Sequence, residues 1–170
     1  MQLKYTLLAG AVIIAPAGAA DLKLSIELPK LAMAEYHKPY VAVWIESNDQ
    51  KFVDTLNVWY DVKKRENAGA KWLKDMRTWW RKSGRELTLP ADGVSAATRA
   101  PGEHQISFSS STGALARLAP GSYQLVVEAA REAGGRELLR VPFTWPAKTA
   151  QSGQARGESE LGKVVVNLLP

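Results

Sequence analysis

The chain has 170 residues, 46% hydrophobic and 23% charged, a length and balance that suit one globular domain with or without a short export segment. It has no cysteine, which excludes disulfides, thiolate zinc sites, iron–sulfur clusters and thiol catalysis. The formal net charge is +5; the basic residues are dispersed among acids and no nucleic-acid motif accompanies them, so they read as a solvated face that favours anionic partners.

Residues 1–20 have the layout of a secretory signal peptide. Lys4 supplies a positive start, residues 7–15 (LLAGAVIIA) an apolar stretch, and Ala17-Gly18-Ala19-Ala20 small residues for cleavage after the break at Pro16. The apolar run is too short to span a bilayer comfortably, and no cysteine follows for lipid attachment. The mature chain is expected to start near Asp21, to form one domain over 21–170, and to work in the periplasm with no transmembrane span once the signal is removed.

Residues 21–28 (DLKLSIEL) alternate apolar and polar, which predicts a half-buried strand that Pro29 ends. Residues 40–46 (YVAVWIE) are denser in apolar residues, as in a central strand. The turn at 47–50 and the strand 52–60 (FVDTLNVWY) complete a hairpin. Over 70–82 (AKWLKDMRTWWRK) the period changes. Trp72, Leu73, Met76, Trp79 and Trp80 fall at helical spacing, with Lys and Arg opposite, and Gly84 is placed to end the helix. This cationic, Trp-rich helix is expected to pack over the sheet. Further strands are predicted at 105–109, 122–130, 136–145 and 161–169, and the Gln/Gly/Ser-rich residues 148–159 read as a mobile loop. Seven or eight short strands with one inserted α-helix predict a β-sandwich of immunoglobulin-like or fibronectin-like type.

Few groups offer chemistry. His37 and His104 show no paired metal-ligand spacing, so no metal site is predicted unless the two meet in space. Asp92, Ser95 and His104 hold the side-chain types of a hydrolase triad, but no G-x-S-x-G elbow or oxyanion device accompanies them, and no catalytic residue is assigned. Residues 92–102 (DGVSAATRAPG) stand out: small residues, two hydroxyls, one acid and one base, and nothing larger than Val94 to enter a core. Such a stretch is either a turn-rich connection or a site.

Asp92-Gly93-Val94-Ser95-Ala96-Ala97-Thr98 resembles the acceptor pattern of periplasmic flavoproteins that carry FMN on a threonine through a phosphodiester: Asp, two variable residues, Ser or Thr, Gly, Ala, then Thr or Ser. Six of the seven positions fit, and Ala96 stands where the pattern has Gly. More widely, residues 38–46, Phe52-Val53 with Thr55-Leu56 and Trp59, 71–73, 95–102 and 121–132 are similar to the periplasmic domain-of-unknown-function family 2271 (DUF2271). Its central motif usually reads Ser-Gly-Ala-Thr-Arg-x-Pro-Gly.

These resemblances imply an exported electron-transfer accessory linked to PepSY-type, flavin-transferase or iron-uptake systems. FMN would be the covalent cofactor on Thr98. Asp92 and Ser95 would be read by the flavin transferase, Arg99 would neutralise the linked phosphate, and a membrane redox protein would be the electron partner. Trp59, Trp72, Trp79 or Trp80 would shield the flavin ring. The alternative is a non-enzymatic immunoglobulin-like module that binds a partner through residues 92–102.

Overall fold

The computed structural model describes residues 21–33 and 35–170. The signal-peptide assignment falls on residues 1–20, outside the described residues. Among the described residues nine strands form two sheets: β1 (Asp21–Leu28), β2 (Tyr40–Ser47), β3 (Phe52–Tyr60), β4 (Ser95–Ala97), β5 (Gly102–Ser109), β6 (Gly121–Ala130), β7 (Arg136–Trp145), β8 (Gln151–Arg156) and β9 (Lys163–Leu169). One sheet has the order β5-β1-β9-β8 and the other β4-β3-β2-β6-β7. All pairings are antiparallel except β3 with β4. The expected β-sandwich is the architecture found.

Alternation explains the inner layer. Leu22, Leu24, Ile26 and Leu28 of β1 and Val164, Val166 and Leu168 of β9 face Val41, Val43 and Ile45 of β2 and Leu125, Val127 and Ala129 of β6 in one buried cluster. β3 departs from strict alternation. Its ladder with β2 skips Leu56 between the Val43–Asn57 and Trp44–Thr55 pairs. This bulge lets Leu56 join the inner core while Val58 and Tyr60 face outward.

The outer face of the five-stranded sheet is covered too. Ala42, Trp44, Val58, Tyr60 and Val126 pack against Leu73, Met76 and Trp79. The helical spacing over 70–82 thus marks a real apolar face, but the segment is not one α-helix. It runs as a 3₁₀ stretch, Arg65–Asp75, a single α-turn, Arg77–Trp79, and a π-turn, Trp80–Gly84. The backbone leaves helical angles at Glu66 and Asn67, both with φ of +54°, and again at Met76, with ψ of +73°. The Glu128 carboxylate then accepts the N–H groups of Thr78 (3.1 Å) and Trp79 (2.8 Å), starting the helical turn afresh. Gly84 closes the cap where a Cβ would meet the Trp79 ring at 2.6 Å.

Residues 148–159, expected as a loop, contain β8. This edge strand lacks an apolar alternation and is held by backbone pairing to β9. The Gln151 side chain also exchanges two hydrogen bonds of 3.1 Å with the Thr144 backbone of β7. Among the described residues no helix is long and apolar enough to cross a membrane.

Candidate functional site

The 92–102 segment is fastened to β3 at several points. A tight turn precedes β4: Ser95 and Val94 donate backbone N–H groups to the Ala91 carbonyl at 2.9 and 3.2 Å, and the Ala91 N–H donates to Ser95 Oγ at 3.0 Å. Gly93, with φ of +73°, takes the backbone conformation this turn requires and L side chains avoid. Val94 presents its carbonyl to the Val58 N–H at 2.8 Å and to the Asn57 side-chain amide at 2.9 Å. β4 then pairs Ser95, Ala96 and Ala97 with Val58, Trp59 and Tyr60, and the Thr98 N–H reaches the Tyr60 carbonyl at 3.3 Å. The central stretch is therefore in part an edge strand rather than a free loop.

Trp59 is the anchor beneath it. Its indole is fully buried and donates to Asn57 Oδ1 at 2.5 Å. The Arg99 guanidinium lies 4.3 Å from the Trp59 ring centroid, a cation–π contact. His104 meets the same indole edge-on, with centroids 5.8 Å apart, and its Nε2–H donates to the Ala100 carbonyl at 2.7 Å. Ala96 packs its methyl against the inner core and has no positive φ. Alanine is thus accommodated in the folded chain at the position where the acceptor pattern has Gly.

The four residues singled out from the sequence do not converge. Thr98, half-buried, lines a cleft of about 370 Å³ with Tyr36, Tyr40 and Trp72. Asp92 opens on a different cleft of about 530 Å³, beside Asp54, Thr55 and Arg117. Ser95 is engaged with the Ala91 turn, and Arg99 lies on Trp59. His37 sits in the Thr98 cleft between Glu35 (3.5 Å) and Glu132 (3.9 Å), whereas His104 belongs to the Trp59 anchor. Among the described residues no group of three or more potential metal-ligating side chains gathers.

The aromatic wall of the Thr98 cleft has no local sequence signal, because its members come from separate stretches. Tyr36 precedes His37-Lys38, Tyr40 opens β2, and Trp72 comes from the cap. The Tyr40 hydroxyl donates to the Gly69 carbonyl at 3.0 Å, and its ring meets Tyr60 edge-on at 6.3 Å. Burial pushes both cleft phenols, Tyr36 and Tyr40, above their ordinary value of 10, so they stay neutral. The charges around the cleft nearly balance, with Asp61, Asp75 and Glu132 against Lys38 and Lys64. Lys64 and Asp61 lie 3.7 Å apart.

A family model described as a predicted periplasmic protein, DUF2271, matches residues 21–163. The chain belongs to the DUF2271 family. No curated protein and no solved structure compared with it gives a match. The DUF2271 match spans all the strands except the greater part of β9, so it includes the Thr98 cleft and the whole cap.

Proposed function

We propose that this DUF2271 protein is an extracytoplasmic carrier that accepts FMN on Thr98 from a flavin transferase and exchanges electrons with a membrane redox protein. The observation that carries the reading is the setting of Thr98. It follows the edge strand β4, whose side away from β3 pairs with no strand among the described residues, and it lines a cleft with three aromatic side chains. Ala96 and Ala97 beside it leave little bulk to obstruct an enzyme reading an extended segment.

The residues present fit the group. The cleft lies within the size range of small-molecule sites, about 300–1,000 Å³, and sets three aromatic side chains among polar and charged ones. A threonine hydroxyl is a weak nucleophile, so the activating base and metal belong to the transferase. Thr98 Oγ1 forms a bond to the FMN phosphorus of FAD while the pyrophosphate P–O bond breaks. AMP leaves, and the hydroxyl proton passes to the transferase base. Once bound, the flavin supplies reversible electron storage; the chain itself holds Thr98 rigid through Tyr60 and keeps Arg99 on Trp59.

Co-expression with a flavin transferase followed by intact-mass measurement tests the proposal. One added FMN is expected on the mature chain and none on Thr98→Ala. A wild-type chain that stays unmodified in cells where a control acceptor is loaded would overturn it. The open edge of β4 also supports a second reading, a module that captures a partner strand through residues 92–102. In that case Thr98→Ala changes no flavin content, and substitutions at Arg99, Ala100 and Pro101 weaken partner pull-down.

A further inference from the structure

Resting on the flavin reading, we infer that the Thr98 cleft is a seat for a planar heteroaromatic ring, the isoalloxazine of a flavin, and that Trp72 is its stacking face. Six tryptophans are available in the chain, and their positions separate them. Trp44, Trp59 and Trp79 are fully buried, and Trp145 lies in the inner core. Trp59 is already covered by Arg99 and His104, and Trp79 by Gly84 and the hydrogen bond from its indole N–H to Thr55 Oγ1 at 3.1 Å. Trp80 packs against the outer core cluster. Trp72 alone of the six lines the cleft that Thr98 lines, and its indole is half-buried.

The chemistry around Trp72 favours a ring over a charged ligand. The two neighbouring phenols stay neutral, and the surrounding acids and lysines nearly cancel, so the cleft sets three aromatic side chains among paired charges with little net field. The Lys71 ammonium lies over one face of the Trp72 ring, 4.8 Å from its centroid, so a stacked ring takes the opposite face with that positive charge behind the indole. Trp72 also borders a second cleft formed with the β6–β7 turn.

Riboflavin, which has the ring but no phosphate, separates the seat from the attachment. Titrated with the unmodified full chain, its fluorescence is expected to be quenched. Binding should weaken about tenfold in Trp72→Leu, as the loss of one aromatic stack predicts, and should persist in Thr98→Ala and Trp80→Leu. Tyr36→Leu provides a second cleft variant, with the thermal midpoint of each variant measured to confirm folding. No quenching by the wild type, or equal quenching by wild type and Trp72→Leu, overturns the seat. A chain that binds riboflavin through Trp72 yet never gains FMN mass keeps the seat and overturns the attachment. A chain loaded on Thr98 whose flavin is as bright as in Trp72→Leu does the reverse.

Discussion

The five-stranded sheet is closed on its two faces by different means. Toward the other sheet it meets aliphatic strands in one continuous hydrophobic cluster. Toward the cap it meets an irregular helical segment, and two fully buried carboxylates, Glu46 and Glu128, lie at that layer. Glu128 binds the Thr78 and Trp79 amides and Arg136 (2.7 Å). Glu46 binds the Trp44 indole, Lys82 and Arg140, each at 3.0 Å. A strand alternating in period two finds its partner face without further instruction. A segment of 3₁₀, α and π turns has no ladder to fix its position, so side-chain acceptors pin its backbone and its flanking cations to the sheet.

The largest test of that contrast is to remove the aromatic centre of the cap. Trp79→Ala is expected to cost about 3–5 kcal/mol in urea unfolding, comparable with a truncation in the inner core. A loss below about 1 kcal/mol would show the cap to be a loose cover and would collapse the comparison.

Acid sharpens it at an intermediate level. Burial pushes the Glu46 carboxyl up, but hydrogen bonds from Trp44, Lys82 and Arg140 outweigh burial and hold it below its ordinary value of 4.5. Glu137 is likewise lowered; burial opposes the shift, and the N–H groups of Glu158, Leu161 and Ser159 prevail. A carboxyl with a folded value below its unfolded one adds stability above the unfolded value, and acid removes that addition. Unfolding free energy is therefore expected to fall as the pH drops from 5 toward 3 (roughly the span on either side of an ordinary carboxyl). Glu46→Gln should cost about 2 kcal/mol at neutral pH and flatten the acid slope. An unchanged slope in Glu46→Gln would remove the cap carboxylate from the account.

The smallest expected effect lies at the site itself. Ala96→Gly removes a methyl from the edge of the inner core and should cost about 0.5–1 kcal/mol. If the acceptor reading holds, the same change raises FMN loading on co-expression, since it restores the residue of the acceptor pattern. Reduced stability without increased loading in the mass spectrum would separate the packing role of Ala96 from any role in recognition.

The legible parts of the sequence were those whose partner is a regular lattice. Leu22, Leu24, Ile26 and Leu28 announced both a strand and its buried face, and the apolar density of 40–46 announced burial on both sides. The spacing of Trp72, Leu73, Met76, Trp79 and Trp80 located the cap's apolar face. Its backbone was not legible, because the second helical turn is started by Glu128, a residue outside the segment. β8 was hidden because its hold is main-chain pairing, which leaves no mark on polar side chains such as Gln151 and Gln154. At the site, the resemblance supplied Thr98, Asp92, Ser95 and Arg99 as one motif. The fold parts Thr98 from Asp92, because β4 lies between them and each end opens on its own cleft.

The parallel pairing of β3 with β4 has a consequence of its own. Adjacent parallel strands cannot be joined by a tight turn, so the chain between them must travel out and return. Here the cap is that excursion. It leaves the sheet at Tyr60, carries Trp72 over the outer face, and returns at Ser95 to deliver Thr98 beside its point of departure. The threonine and the indole across the cleft are thus carried by one continuous passage of chain. Whatever occupies the space between them touches two points of a single loop.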